Sequence, residues 1–501
     1  MKSARFFSII FILVLSCNKS SKITDNDIVL VKIGDKTITV NEFIRRSEYT
    51  VRPFYCAGNS YAHKKIVLNS LIAEKLMALE AGNDNDLFQS KNYQLQMRGR
   101  KEQAMRLVQF YREVYDQVKI DTTSIKKYLP YVKNSYEIAY FNINDPAKAG
   151  QIEYQLYEQR QDFRQVYSQY TELDTIPHRT VEWSIAEDES MIDRFFTKEL
   201  HAGDILGPIS TDPEEHIFIK ILKVTKQPMM TQSDMAERLT TVKTYFTEKK
   251  AAALYDQKIY AIMKGKSIEF VPETLKNVAQ LLGEMYFITD TQREKLSNRE
   301  MFQQEIQEKN YEQNRNDLRS MAKEQLFTEN GNIWTVGDFL DEIIAHPLVF
   351  REKKFPPKQF GKQLQYAIID MVRDIYLNKE AYKSGYDKHP GVIHDVAMWQ
   401  DHYGYLFNKA HYLKAVISDS SIKSSPLQLV EQFLNPYIDS LQIKYNDQIE
   451  INLQAFEKIN LTQIHMAVFQ EKMPYTQVVP EFPVITSNFR LDYGIKMNEK
   501  Q

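Results

Sequence analysis

Apolar positions recur mostly at helical spacing along this chain, with short alternating stretches between them. Val29, Val31 and Ile33 alternate with other residues and Gly34-Asp35 supplies turn chemistry, which predicts a small β entry. Thr39 followed by Glu42 has the spacing of a capping box and starts a helix with Phe43 and Ile44 inward. Leu68, Leu71, Ile72, Leu76 and Leu79 form one helical stripe, and Leu107, Tyr111, Val114 and Val118 form another. Apolar helix faces must pack on something, so residues 28–121 read as a helical lobe with a β entry.

The next stretch, 122–228, changes character. Tyr136–Ile143, Val181–Ile185 and His216–Val224 are rich in β-branched and aromatic residues and predict strands. Helices are expected over Ala147–Gln161, from Asp162-Phe163 onward, and over Met191–Leu200, giving a β-α-α-β-α-β-β order. Residues 229–325 read as a helical connector, polar and charged from Arg293 to Lys323.

The chain then partly repeats itself. Asn330–Leu340 echoes the strand, cap and helix around Gly34–Ile44, with Thr335 and Asp338 as the box. Leu68, Leu71, Ile72, Glu74, Met77, Glu80 and Ala81 correspond to Ile368, Met371, Val372, Asp374, Leu377, Glu380 and Ala381, each 300 positions later. This predicts a second copy of the lobe within 326–460. The stripe Val430, Phe433, Leu434, Tyr437, Leu441 contains Pro436, which should kink or split its helix. The Pro-punctuated tail 461–501 is expected to be poorly ordered over its last part.

Composition narrows the function classes. Gly (16) and Pro (17) are scarce in 501 residues, which disfavours Gly-rich phosphate loops, collagen and turn-dense all-β folds. A mean hydropathy of −0.47 argues against a multi-span membrane protein. With a net charge of −2, nothing sequence-wide favours nucleic acid as a partner. His389, His394, His402 and His411 are dispersed by helical spacing and lack Cys partners, so no metal site and no cofactor is expected. Cys56 reads as a buried small hydrophobe.

Lys2 and Arg5 precede the apolar run Phe6–Leu15, the n- and h-regions of a secretory signal. That run is too short to span a hydrocarbon core of about 30 Å. Its end, Val14-Leu15-Ser16-Cys17, resembles a bacterial lipobox, which implies a signal peptide at 1–16, lipidation of Cys17 and a tether at 17–27. The resemblance implies a periplasm-facing lipoprotein of the bacterial envelope. Asn18, rather than Asp, after the Cys favours the outer membrane.

Val31–Asp35, Thr39–Phe43 and Val67–Leu76 together resemble the N-terminal chaperone lobe of SurA- and PrsA-type foldases. The order of elements in 122–228, closing on Gly203–Thr211 and His216–Val224, resembles a parvulin-type prolyl isomerase domain. The resemblance implies an α+β, mostly helical protein in which chaperone-like lobes flank a four-stranded antiparallel sheet with helices. It places His216 and Tyr140 at catalytic positions and Met191 and Phe195 at the proline pocket. Tyr140 stands where the family has a histidine, and of its Gly-Gly-Asp-Leu-Gly-Trp phrase only Trp183 remains, so the domain is expected to be degenerate. The implied partners are unfolded exported or outer-membrane proteins, together with the membrane itself. The alternatives are an active peptidyl-prolyl isomerase and a non-enzymatic accessory lipoprotein of a secretion or envelope complex.

Overall fold

In the computed structural model the chain begins with β1 (Val29–Ile33) and β2 (Lys36–Thr39), then α1 (Val40–Glu48), α2 (Tyr61–Ala81) and α3 (Lys91–Glu113). There follow β3 (Ser135–Ile143), α4 (Pro146–Glu153), α5 (Phe163–Tyr170), β4 (His178–Glu182), α6 (Glu189–Phe195), β5 (Ile205–Asp212) and β6 (Glu215–Thr225). Then come α7 (Gln232–Met263), β7 (Ile268–Phe270), α8 (Pro272–Tyr286), α9 (Lys309–Ser320), β8 (Gln325–Glu329) and β9 (Asn332–Thr335). The chain closes with α10 (Val336–Ala345), α11 (Phe360–Lys383), α12 (Pro390–Val416), α13 (Asn435–Lys444), β10 (Ile449–Ile451) and β11 (Ile495–Lys496). The structure describes residues 27–497 except 173, 186, 213–214, 288–308, 418–424 and 463–465. The signal segment, Cys17, the tether up to 26 and the connector between 293 and 308 lie outside the described residues. The protein is mostly helical with small, largely antiparallel sheets.

Two compact units divide the chain. The first, Arg112–Lys258, is built on the sheet β4-β3-β6-β5. One face of this sheet packs Tyr136, Ile138, Ile219 and Ile221 against α6 and α7. The other packs Phe141, Ile143 and Phe218 against α4 and α5. The helix expected over 147–161 is α4 followed by a π-helical turn, Tyr154–Glu158.

The second unit joins the residues up to Tyr111 with those from Ile259 onward. Residues 28–121 are therefore not a lobe of their own. β1 pairs with β2 on one side and with β10, from the far end of the chain, on the other. Helix α2 explains why: Ile66 through Ala78 are all buried, and a helix covered on every side needs neighbours beyond its own lobe. Those neighbours are α12 and α13 together with the tail. The tail from 461 is packed rather than loose. Phe482, Ile485 and Leu491 enter the core of β1 and α2, and Asn69 Nδ2 donates to the Asn488 carbonyl. The segment is extended and lacks a regular apolar period, so no pattern announces its burial. At Pro436 the helix is not split: a π-helical turn, Val430–Leu434, runs directly into α13, with Leu434 and Asn435 in right-handed helical conformation and the proline in the first turn of α13.

One order of elements occurs twice in this unit: hairpin, capped helix, long helix, long helix. The two-residue turns are Gly34-Asp35 and Asn330-Gly331, with Gly34, Asn330 and Gly331 at positive φ, as tight hairpins require. Thr39 and Thr335 cap α1 and α10. The third helices are exchanged: α12 packs on α2, and α3 reaches α11.

Candidate functional site

The four residues singled out from sequence do not meet in one pocket. Met191 and Phe195, on α6, are 3% and 0% exposed and belong to the core under the sheet, where Phe195 sits edge-on to Tyr136 at 5.2 Å. Tyr140 faces the same core, paired with Ile219 across the sheet. His216 pairs with Ile143, whose side chain lies in the opposite core. Residues paired across a ladder share a face, so His216 and Tyr140 are on different sides of the sheet. His216 Nδ1 lies 3.0 Å from Ser210 Oγ, and its Nε2 is buried with no hydrogen-bond partner. The positions assigned to the proline pocket are thus filled by the domain's own core.

In the second unit two features stand out. The first is an exposed apolar patch beyond the end of α1. Val51 and Phe54 are 65% and 77% exposed, and Met466 and Phe469 are 53% and 56% exposed. Backbone bonds hold these two distant stretches side by side: Met466 N–H donates to the Glu48 carbonyl and Val468 N–H to that of Tyr49. Large apolar groups this exposed, gathered from two ends of a chain, are unusual on a surface with no partner.

The second is a cavity of about 620 Å³ between α1, α2, β2 and the start of α12. A string of alternating charges lies along it. Lys36 Nζ donates to Asp401 Oδ1 at 2.6 Å, and Lys75 Nζ lies 2.9 Å from Asp401 Oδ2 and 3.0 Å from Glu42 Oε1. His394 Nε2 stands 3.1 Å from Glu42 Oε2. The contacts to Glu42 are ion pairs without aligned hydrogen bonds, so both of its oxygens keep free capacity. Burial by itself would raise the Glu42 pKa, but Lys75 and His394 outweigh it and bring the carboxyl down to about 2. Burial likewise opposes a charge on His394 and is overcome by Glu42, so this imidazole is held above its usual value. Asp395 is pushed the other way: desolvation dominates and raises its pKa, its nearest cation being Arg45 at 3.8 Å.

Deeper in the unit each repeat buries one acid. Glu74, 0% exposed, takes both arms of Arg46 at 2.9 Å and a bond of 2.8 Å to His402 Nδ1. Burial keeps His402 below its usual pKa while Arg46 holds Glu74 down at about 2, so the histidine acts as a neutral N–H donor. Asp374 is bound by His346 at 2.9 Å, with Arg106 at 3.4 Å and Arg373 at 2.7 Å. Each acid therefore takes an arginine and a histidine, one from its own capped-helix segment and one from the exchanged third helix, with the two types swapped, and Asp374 takes Arg373 of its own helix in addition.

Sequence reasoning missed Glu42 and His394 as site residues. The expected capping box at Thr39 is half made. Thr39 accepts from Glu42 N–H, but the Glu42 carboxylate turns into the cavity, whereas Asp338 completes its box with Thr335. The histidines were dispersed correctly by helical spacing, yet two of them, His394 and His402, each meet an acid from another helix. No family model, curated protein or solved structure matches the chain.

Proposed function

We propose that the chain is an envelope-anchored holdase or foldase that binds unfolded exported polypeptides through its second unit, its isomerase-like unit being non-catalytic. The observation that carries this reading is the exposed patch of Val51, Phe54, Met466 and Phe469. An extended, unfolded chain offers apolar side chains at intervals, and adaptable Met and Phe groups can cover them without a fixed geometry. The order of elements in 122–228 and its sheet order, β4-β3-β6-β5, support a parvulin-like domain. The burial of Met191 and Phe195, with His216 on the other face from Tyr140, favours a non-catalytic role for it. Cys17 supplies the membrane anchor in this reading.

The test is suppression of aggregation of a chemically unfolded client. Wild type suppresses it at near-stoichiometric ratio, and Phe54→Ser with Phe469→Ser loses most of that capacity while staying folded. Full activity in the double variant removes the patch from the account. A proline-limited refolding reaction should show no acceleration; acceleration lost in His216→Ala would restore the enzyme reading. Recovery of one stoichiometric partner from cells, in place of many clients, would instead identify an accessory lipoprotein.

A further inference from the structure

The crossing of α12 over α1 and that of α3 over α10 occupy matching places in the two repeats, and the first borders the cavity of about 620 Å³. At the second crossing α3 presents Gly99, where a Cβ would collide with the carbonyl oxygen of Ala345. The helices touch there and nothing fits between them. Asp395 holds the corresponding place on α12. Gly99 lies two turns before Arg106, which reaches Asp374, and Asp395 lies two turns before His402, which reaches Glu74. Asp395 faces Arg45, just before Arg46 of the acid centre, as Ala345 just precedes His346. One crossing is closed by a glycine and a small residue; the other is kept apart by two charged side chains that hardly touch.

The open crossing also retains unspent polar groups of both signs. Arg45 Nε is buried without a hydrogen-bond partner, and its Nη2 is spent on the Val478 carbonyl. His394 lines the cavity and brings a cation to it, whereas the first turn of α12 has no donor to spare: Pro390 lacks an N–H and Gly391 N–H donates to His389 Nδ1. Asp35 and Asp395 bring carboxylates to the same space. Lys36, Lys75 and Asp401 pair with one another along the floor, Glu42 adds a buried carboxylate whose oxygens lack aligned hydrogen bonds, and Asp27 is engaged by Asn41 N–H. A purely anionic or purely cationic guest would satisfy one set of groups and leave the other facing it. The volume lies within the range of small-ligand sites, about 300–1,000 Å³, and suits a peptide of a few residues.

We propose that this cavity binds a small zwitterion, a short peptide with both termini free, its carboxylate toward His394 and Arg45 and its ammonium toward Asp395 and Asp35. The site goes beyond client holding, because it reads chain termini and not apolar side chains, and its readout is ligand affinity alone.

The experiment is calorimetric titration of the full chain with trialanine, N-acetyl-trialanine, trialanine amide, spermidine and inorganic phosphate. Trialanine binds saturably, and blocking either terminus weakens it about tenfold or more, as expected for loss of a charge-paired contact in a desolvated site. Asp395→Asn weakens trialanine and leaves the weaker binding of N-acetyl-trialanine unchanged. Hydrogen exchange on wild type, which does not depend on any variant folding, shows trialanine protecting residues 390–401. No saturable binding of trialanine at millimolar concentration overturns the proposal. So does equal binding of the blocked forms, or of spermidine or phosphate alone, and so does protection located elsewhere.

Discussion

The two helix crossings of the second unit show one architecture resolved in two ways. At Gly99 and Ala345 the backbones meet, and the neighbouring Arg98 and Glu342 close the contact with an ion pair of 2.8 Å. At Asp395 and Arg45 the helices stand apart and a cavity of about 620 Å³ remains. The acid centres next to them are nearly equivalent, so the difference is confined to what lies at the crossing. The closed copy shows that this fold can bring the two helices into contact, and at the open crossing two charged side chains stand in that place.

The comparison can be broken most severely at the acid centres. Replacing Glu74 by Ala leaves Arg46, 0% exposed, as an uncompensated buried cation and should cost about 3–5 kcal/mol in urea unfolding. Asp374→Ala should cost less, because Arg106 is 8% exposed where Arg46 is fully buried. Equal losses would mean that the two centres are not graded by burial.

Acid should act on the first repeat through two of its carboxylates. Glu42 and Glu74 have folded pKa values of about 2, below the ordinary 4.5, so they stabilise the unit above pH 4.5 and that contribution is lost as pH falls towards 2. Each shift is worth on the order of 3 kcal/mol. His394, held above its usual value, contributes with the opposite sign, present below pH 6.5 and lost as pH rises through its folded pKa. Denaturant midpoints from pH 7 to 3 should drop in wild type and drop less in Glu42→Gln; parallel curves would remove Glu42 from the account.

The crossings themselves give the smaller effects. Gly99→Val inserts methyls where the backbone leaves no room and should cost about 1–3 kcal/mol or more. Asp395→Ala should change stability by no more than about 0.5 kcal/mol, because this carboxyl is poorly paired and gains little from folding. If Asp395→Ala were as damaging as Gly99→Val, the open crossing would be a structural strut and not a site.

Legibility in the sequence followed the range of the interactions. The hairpin turns, the threonine caps and the stripe shared by Leu68–Ala81 and Ile368–Ala381 are local, and the elements lie where period and turn chemistry place them. Glu74 and Asp374 stood at matching positions, but their partners come from another helix, and Arg46 and Arg106 carry no pattern that names them. Glu42 looked like a cap residue because spacing sees only the next turn, while its partners Lys75 and His394 are set by packing. In the first unit, Tyr140 and His216 were expected to share a site, but the register of β3 on β6 puts them on opposite faces, which depends on pairing that a single strand cannot reveal. The tail was misread because burial of an extended, Pro-containing segment is decided by the groove it fills.

The central claim, that unfolded polypeptide is held by the second unit's exposed patch, is tested most directly by hydrogen exchange of the full chain with and without a permanently unfolded client. The account expects protection at residues 49–61 and 466–470, with the sheet of the first unit unchanged. Protection confined to β3 and β6, around Tyr140 and His216, would contradict it.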